Sequence, residues 1–226
     1  MDLKRSAERY GPVGWALLCS SSSLVSVGFY VVGAIGSHDW QYWYLATNLI
    51  LAWLPLFFAV WLVAILPRFG WSSWRGVALT LLWLAFLPNS FYMVSDLIHL
   101  ANTDSAHVLF NSVTFISFIF NGLAFGFISL FLVHKQLMKR LSVRSTHAAI
   151  AFILLVCSFA IYLGRDLRWN SWDLLTNPFG ILFDVSDRFI NPGAHPETFT
   201  TTLAFFVLLG SIYLVIWQLA KPPSEH

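Results

Sequence analysis

Charged residues are scarce in this sequence. Asp, Glu, Lys and Arg make up 11% of the 226 residues, whereas a typical soluble domain carries about 25%. Hydrophobic residues account for 58%, and the mean hydropathy is +0.69. A water-soluble fold of this length could not bury that much apolar surface. The composition therefore excludes an ordinary soluble domain and predicts an integral membrane protein.

Cysteines, basic clusters and enzyme motifs are also few or missing. Cys19 and Cys157 both lie in apolar stretches, which disfavours a disulfide framework or a thiolate metal cluster. The net charge is only +2 and no long basic cluster is present, so we expect no nucleic-acid partner. No His-Glu-x-x-His pattern, serine-nucleophile motif or phosphate-binding glycine loop occurs. The sequence thus offers no standard catalytic signature.

Six uncharged stretches dominate the chain, and each approaches the ~20 residues that a helix needs to cross ~30 Å of hydrocarbon. We predict an all-α fold, a polytopic transmembrane helix bundle that forms a single domain over 1–226. The predicted spans cover about 13–35, 43–66, 76–98, 108–133, 148–164 and 198–220. The fifth is marginal in length, and the first is expected to be an uncleaved signal anchor.

Basic residues are distributed unevenly between the two sides of these spans. With a cytoplasmic amino terminus, ten basic residues lie on the cytoplasmic side and three lie opposite. The ten are Lys4, Arg5, Arg9, Arg68, Arg75, Lys135, Lys139, Arg140, Arg144 and Lys221, and the three are Arg165, Arg168 and Arg188. The positive-inside rule therefore predicts that both chain ends are cytoplasmic, with outward loops near Asp39, Asp104 and Asp187.

One long connection separates the fifth and sixth spans. It is rich in Trp, Phe, Leu and Ile, and Trp169 and Trp172 are three residues apart. Tryptophan is enriched at membrane–water interfaces. The pattern predicts an interfacial or re-entrant segment over about 166–190, at the depth of the lipid headgroups.

The third span ends in a polar stripe. At 100° per residue, Asn89, Tyr92, Asp96 and His99 lie within roughly 80° of one another on an α-helix. Pro88 deprives the Leu84 carbonyl of its helical partner, and Asn89 is a candidate to satisfy that oxygen. Because an ionisable group faces lipid only at high cost, the stripe is predicted to face other helices or a wet cavity.

The fourth span carries a second polar face, which includes Asn121. Gly122 and Gly126 have the small-xxx-small spacing that lets two helix backbones approach closely. Two interpretations remain open: Asn121 holds neighbouring helices together, or it completes a cavity begun by Asn89 and Tyr92.

A dense polar and aromatic string follows the fifth span. Arg165 and Arg168 are three apart and, on a helix, would share a face. They could form an ion-pair cluster with Asp96, bind an anionic headgroup or phosphate, or serve as interfacial anchors. The other binding candidates in this string are Asn170, Trp172 and Asp173.

These two strings resemble a bacterial multi-pass membrane family, domain of unknown function 1361. The resemblance rests on Phe86-Leu87-Pro88-Asn89 through Ser95-Asp96-Leu97-Ile98-His99-Leu100 and on Tyr162-Leu163-Gly164-Arg165 through Arg168-Trp169-Asn170-Ser171-Trp172-Asp173. Phe91 and Ser95 depart from the proline and threonine of the family pattern. The resemblance implies a shared membrane fold in the bacterial plasma (inner) membrane and no particular activity.

Three functions compete. The first is a membrane protein that binds a lipid headgroup, a small solute or a partner helix in an outward-facing polar pocket of the third, fourth and fifth spans. The second is a membrane-embedded hydrolase or transferase acting on lipid, with a divalent metal held by Asp96, His99 and either His107 or His38. The third is a transporter, which would need titratable groups deeper in the bilayer. Membrane lipids are the expected partners, and a membrane-protein partner or homo-oligomer remains open.

Overall fold

The computed structural model describes residues 3–102 and 107–220, and in that part the chain is built from helices. The helices are α1 (Leu3–Ser37), α2 (Tyr44–Phe69), α3 (Trp74–Tyr92), α4 (Val108–Leu137), α5 (Val143–Asp166), α6 (Asp173–Thr176), α7 (Pro178–Ile190) and α8 (Pro196–Ala220). Two 3₁₀ helices, Met93–Asn102 and Pro192–Ala194, follow α3 and α7. Six helical segments are long and apolar enough to cross a membrane, which confirms the predicted fold class.

The fifth span is longer than its apolar stretch indicated. The prediction placed it at about 148–164, but α5 runs over Val143–Asp166 and has 24 residues. Ser142 caps this helix because its hydroxyl oxygen accepts a hydrogen bond from the Ser145 backbone N–H at 3.2 Å. The capped, polar first turn adds the length that the apolar stretch lacked.

The third span changes its helix type. Pro88 lies inside α3, which continues to Tyr92, and the chain then tightens into the 3₁₀ helix Met93–Asn102. A 3₁₀ helix has three residues per turn, so side chains three apart eclipse one another. The α-helical arc predicted for the polar stripe therefore holds only to Tyr92, and beyond it Asp96 and His99 lie directly above one another.

Two hydrophobic clusters fill the bundle, and α4 contributes to both. One joins α2, α3, α4, α5 and α8 around residues such as Trp83 and Leu130. The other joins α1, α2 and α4 around residues such as Leu49 and Phe118. Of the six spans, α4 also has the largest buried share, as expected for a central helix.

The predicted close helix approach lies between α4 and α3. A Cβ atom added at Gly122 would lie 2.5 Å from the Ser90 carbonyl oxygen, and one at Gly126 would lie 2.6 Å from the Phe91 ring. Glycine at both positions therefore allows α3 to rest against α4.

The connection between α5 and α8 contains the short α6 and the amphipathic α7. One side of α7 exposes large apolar side chains, namely Phe179, Leu182, Phe183 and Ile190. Near the end of α7, Asp187 accepts hydrogen bonds from the side chains of Asn191 and His195, and these bonds lower the pKa of its carboxyl group. An apolar, exposed helix face is consistent with the interfacial location predicted for about 166–190, which stays a prediction.

The first testable prediction concerns orientation. A single cysteine at Gly193, in a version of the protein without Cys19 and Cys157, should react with an impermeant thiol reagent added outside intact cells. Gly193 has open space around it, so the new side chain does not disturb the fold. A cysteine at the exposed Lys139 should react only after the cells are opened. Labelling of position 139 from outside would contradict the cytoplasmic location of the chain ends.

The second prediction concerns the approach of α3 to α4. Gly122→Val should lower the free energy of unfolding by about 2 kcal/mol, because the added carbon atoms overlap the Ser90 backbone. Gly210→Val on α8 is the matched control, since a Cβ at Gly210 meets nothing within 4 Å. Unfolding in mixed micelles measures both, and equal losses would show that helix propensity alone is responsible.

Candidate functional site

A buried ion pair lies at the end of the bundle predicted to face outward. Asp96 is 1% exposed, and its Oδ1 atom lies 2.7 Å from Nη2 of Arg165. The second carboxylate oxygen, Oδ2, accepts a hydrogen bond of 3.0 Å from the side-chain amide of Asn48. The carboxylate is thus neutralised and hydrogen-bonded by two different helices, as a buried charge requires.

The Arg165 guanidinium is also bound by two further residues of the 3₁₀ helix. The Ser95 hydroxyl oxygen accepts hydrogen bonds from Nε at 3.1 Å and from Nη2 at 2.7 Å. Nη1 lies 3.1 Å from Nε2 of His99. Because arginine can only donate, Nε2 must be the acceptor nitrogen of His99. Asp96 and His99 meet the same guanidinium because the 3₁₀ helix stacks them.

Tyr92 forms one wall of this arrangement. The guanidinium carbon of Arg165 lies 4.8 Å from the centre of the Tyr92 ring, a cation–π contact. A Cβ atom added at Gly164 would lie 3.1 Å from the same ring, so the glycine lets α5 approach it closely. We call Tyr44, Asn48, Tyr92, Ser95, Asp96, His99 and Arg165 the arginine cluster.

Sequence reasoning missed the α2 members of the arginine cluster, Tyr44 and Asn48. Asn48 lies one helical turn beyond Tyr44, and the Tyr44 ring centre lies 5.1 Å from that of His99. The signal that could have identified Asn48 is an amide in an otherwise apolar span, which lipid cannot satisfy. The Tyr44 hydroxyl is buried and has no hydrogen-bond partner among the described residues.

Asn89 lies deeper in the bundle and contacts the chain that follows α5. Its amide donates hydrogen bonds to the Ser171 hydroxyl at 2.8 Å and to the Phe86 carbonyl at 3.1 Å. The Ser171 hydroxyl in turn donates to the Ala85 carbonyl at 2.9 Å. The expected bond to the Leu84 carbonyl is not formed, because the two N–H groups of the Asn89 amide bind the Phe86 carbonyl and Ser171.

The remaining residues after α5 do not join the ion pair. Helix α5 ends at Asp166 and Arg168 adopts a positive φ of 61°, so the two arginines do not share a helix face. Arg168 is exposed, and its guanidinium has no partner in the part of the chain that the structure describes. Asp173 accepts a 2.7 Å hydrogen bond from the Asn170 backbone, which closes a local turn. Trp172 is half exposed beside that turn.

Asn121 lies away from the arginine cluster. Its amide donates to the Ser26 hydroxyl at 2.9 Å and to the Ser117 carbonyl at 2.9 Å. Its neighbour Gly122 faces Ser90 on α3. Asn121 therefore joins α4 to α1, and the structure does not bring it together with Asn89 or Tyr92.

The three residues of the metal hypothesis do not converge. Within residues 3–102 and 107–220, no group of three His, Cys, Asp or Glu side chains is placed to hold a metal ion. His107 lines a cleft between α1 and α4, while Asp96 and His99 both bind Arg165. Arg165 takes the Nε2 lone pair of His99, and its positive charge beside Asp96 disfavours a cation there.

Comparison with known proteins identifies one family. A family model described as "Protein of unknown function (DUF1361)" matches residues 47–215. No curated protein and no solved structure matches the chain. Asn48, Asp96 and Arg165 all lie in the matched segment. The Ser95 hydroxyl, which binds Arg165, lies in the same segment.

The third prediction tests the ion pair. Asp96→Leu should lower the free energy of unfolding by roughly 3 kcal/mol, because it leaves the largely buried Arg165 unpaired. Ser95→Ala should cost only about 1 kcal/mol, since Arg165 keeps its carboxylate partner. Replacing Asp96 and Arg165 together by Leu should restore part of the loss. A single variant Asp96→Leu as stable as Ser95→Ala would show that the pair contributes little.

Proposed function

The chain belongs to this family of unknown function, and from the geometry of the arginine cluster we propose that it is a membrane-embedded binding protein. Its ligand is a small polar group rich in oxygen acceptors, carried by a lipid headgroup or by a free solute. The site lies at the predicted outer end of α2, α5 and the 3₁₀ helix Met93–Asn102. Family membership supports only the statement that this is a multi-pass membrane protein. The proposed binding function rests on the arginine cluster.

The proposal rests on hydrogen-bond donors beside the ion pair that have no acceptor among the described residues. The Tyr44 hydroxyl is shielded from solvent without a partner among the described residues. Arginine has five N–H groups, and the contacts to Ser95, Asp96 and His99 use four of those of Arg165. A buried hydroxyl costs free energy until it is hydrogen-bonded. An oxygen acceptor bound between Tyr44 and Arg165 would satisfy both groups.

The hydrogen bonds of Asp96 and His99 favour a binding site over a hydrolase. Asp96 accepts hydrogen bonds on both oxygens, and Nε2 of His99 accepts from Arg165. Neither group is free to act as a general base on a bound lipid in this arrangement. A site that offers hydrogen-bond donors, but no free base or nucleophile, is typical of recognition.

The fourth prediction tests the role of Tyr44. Tyr44→Phe should leave the unliganded protein at least as stable as wild type, because the lost hydroxyl is buried and makes no hydrogen bond. The same change should weaken binding of an oxygen-bearing ligand about fivefold, the value of one hydrogen bond of ~1 kcal/mol. Thermal unfolding in detergent, with added phosphatidylglycerol or glycerol 3-phosphate, measures both effects.

Tyr213→Phe is the matched control. The Tyr213 hydroxyl lies 2.7 Å from Nδ1 of His134, so its loss should lower stability but keep the ligand response. Stabilisation by phosphatidylglycerol alone would indicate a lipid ligand, and stabilisation by both compounds would indicate recognition of the free headgroup. No response of the wild-type protein, or an unchanged response of Tyr44→Phe, would contradict the proposal.

A further inference from the structure

The seam between α1 and α4 contains two clefts, one above the other. The first, with a volume of about 480 Å³, lies at the predicted outer end and is lined by residues that include Tyr30, Gly36, Asp39 and Phe110. The second, of about 320 Å³, is lined by residues deeper in the same two helices, including Val25 and Phe120. We propose that one phospholipid with an amine headgroup binds lengthwise in this seam.

The two clefts follow one another along both helices. On α1 the deeper cleft ends at Ser26 and the outer cleft begins at Phe29, which is the next turn. On α4 the outer cleft reaches Thr114 and the deeper cleft begins at the adjacent Val113. From Ser22 to Ser37 the α1 wall rises about 22 Å, at 1.5 Å per residue. That length is about half of a bilayer with its headgroups, so the seam matches one lipid in one leaflet.

The outer cleft has the chemistry of a site for an organic cation. Asp39 is the only Asp, Glu, Lys or Arg among the described residues that line it. The Asp39 Oδ1 atom accepts a hydrogen bond of 2.9 Å from the Gln41 backbone, and no described basic side chain pairs with the carboxylate. The rings of Phe29, Tyr30 and Phe110 form much of the wall. A carboxylate beside aromatic rings attracts an ammonium group by charge and by cation–π contact.

The deeper cleft suits an acyl chain because its lining is mainly apolar and the N–H groups of Asn121 are already hydrogen-bonded. Asn121 donates to the Ser26 hydroxyl and to the Ser117 carbonyl, and Ser26 donates to the Ser22 carbonyl. The surface left for a ligand consists of apolar side chains such as Ile116 and Phe120, which are 58% and 65% exposed. A hydrocarbon chain can therefore fill this cleft against mainly apolar side chains.

The glycines of α1 provide variants that should keep the fold. Gly36 lines the outer cleft, and a Cβ atom added there meets nothing within 4 Å, so Gly36→Leu fills the cleft without displacing the backbone. Gly28 has equally open surroundings on the same helix but lines neither cleft, so Gly28→Leu is the matched control. Asp39→Asn removes the charge and keeps an oxygen for the Gln41 N–H.

The experiment compares phosphatidylethanolamine with phosphatidylglycerol of the same acyl chains, by native mass spectrometry and by thermal unfolding in detergent. Wild type and Gly28→Leu should bind phosphatidylethanolamine equally. Gly36→Leu and Asp39→Asn should bind it at least tenfold more weakly, while their response to phosphatidylglycerol is unchanged. Tyr44→Phe should bind phosphatidylethanolamine as wild type does, which separates this inference from the proposal for the arginine cluster.

Three outcomes would overturn the inference. Equal binding of the two lipids, with no effect of Asp39→Asn, would exclude recognition of the amine. Full binding by Gly36→Leu would exclude the outer cleft as the site. A dimer in light scattering that Gly36→Leu dissociates, without any response to lipid, would show that a second copy of the chain occupies the seam.

Discussion

A carboxylate buried in a membrane bundle needs a positive partner. The arrangement of the helices at the predicted outer end depends on that constraint. Asp96 is removed from solvent, and lipid offers it no hydrogen bond. Its partners come from two other helices, Asn48 on α2 and Arg165 on α5. The pair therefore fixes the relative positions of three spans at one end of the bundle. Forming the pair removes both charges from water, which costs free energy. The pair therefore contributes to the specific placement of the helices as much as to stability.

The 3₁₀ helix after α3 follows from the same constraint. The Arg165 guanidinium donates hydrogen bonds to Ser95, Asp96 and His99, which lie within five consecutive residues. Three residues per turn bring Asp96 and His99 onto one line, whereas an α-helix would separate them by about 60°. The poorer backbone hydrogen bonds of a 3₁₀ helix are offset by charge-assisted contacts to Arg165. The local backbone is thus explained by a residue 69 positions away.

Sequence alone predicted the spans well and the site only in part. Long apolar stretches determine which segments enter a bilayer, so six helices could be located from composition. Helical periodicity also identified Tyr92, Asp96 and His99 as one polar group. It could not identify Asn48 or Tyr44, because pairing between distant helices leaves no local pattern. It misplaced Arg168 because the helix was extended past Asp166, where the backbone in fact turns to positive φ.

Hydrogen-bond accounting distinguishes residues that join helices from residues that could hold a ligand. Asn121 and Ser90 have their bonds satisfied within the bundle, by Ser26 and by the Ala52 carbonyl. Such groups contribute to helix packing and offer little to a ligand. The Tyr44 hydroxyl and the Asp39 carboxylate differ, since the first lacks a partner and the second lacks a basic one among the described residues. Both lie at the same predicted outer end.

The two proposed sites differ in their relation to the family. The ion pair and its amide partner lie within residues 47–215, the segment that the family model matches, whereas α1 and Asp39 precede it. The α1 wall of the seam is also peripheral, because α1 contributes to only one of the two hydrophobic clusters. Within the arginine cluster, Tyr44 also precedes the matched segment, whereas the α4 wall of the seam lies inside it.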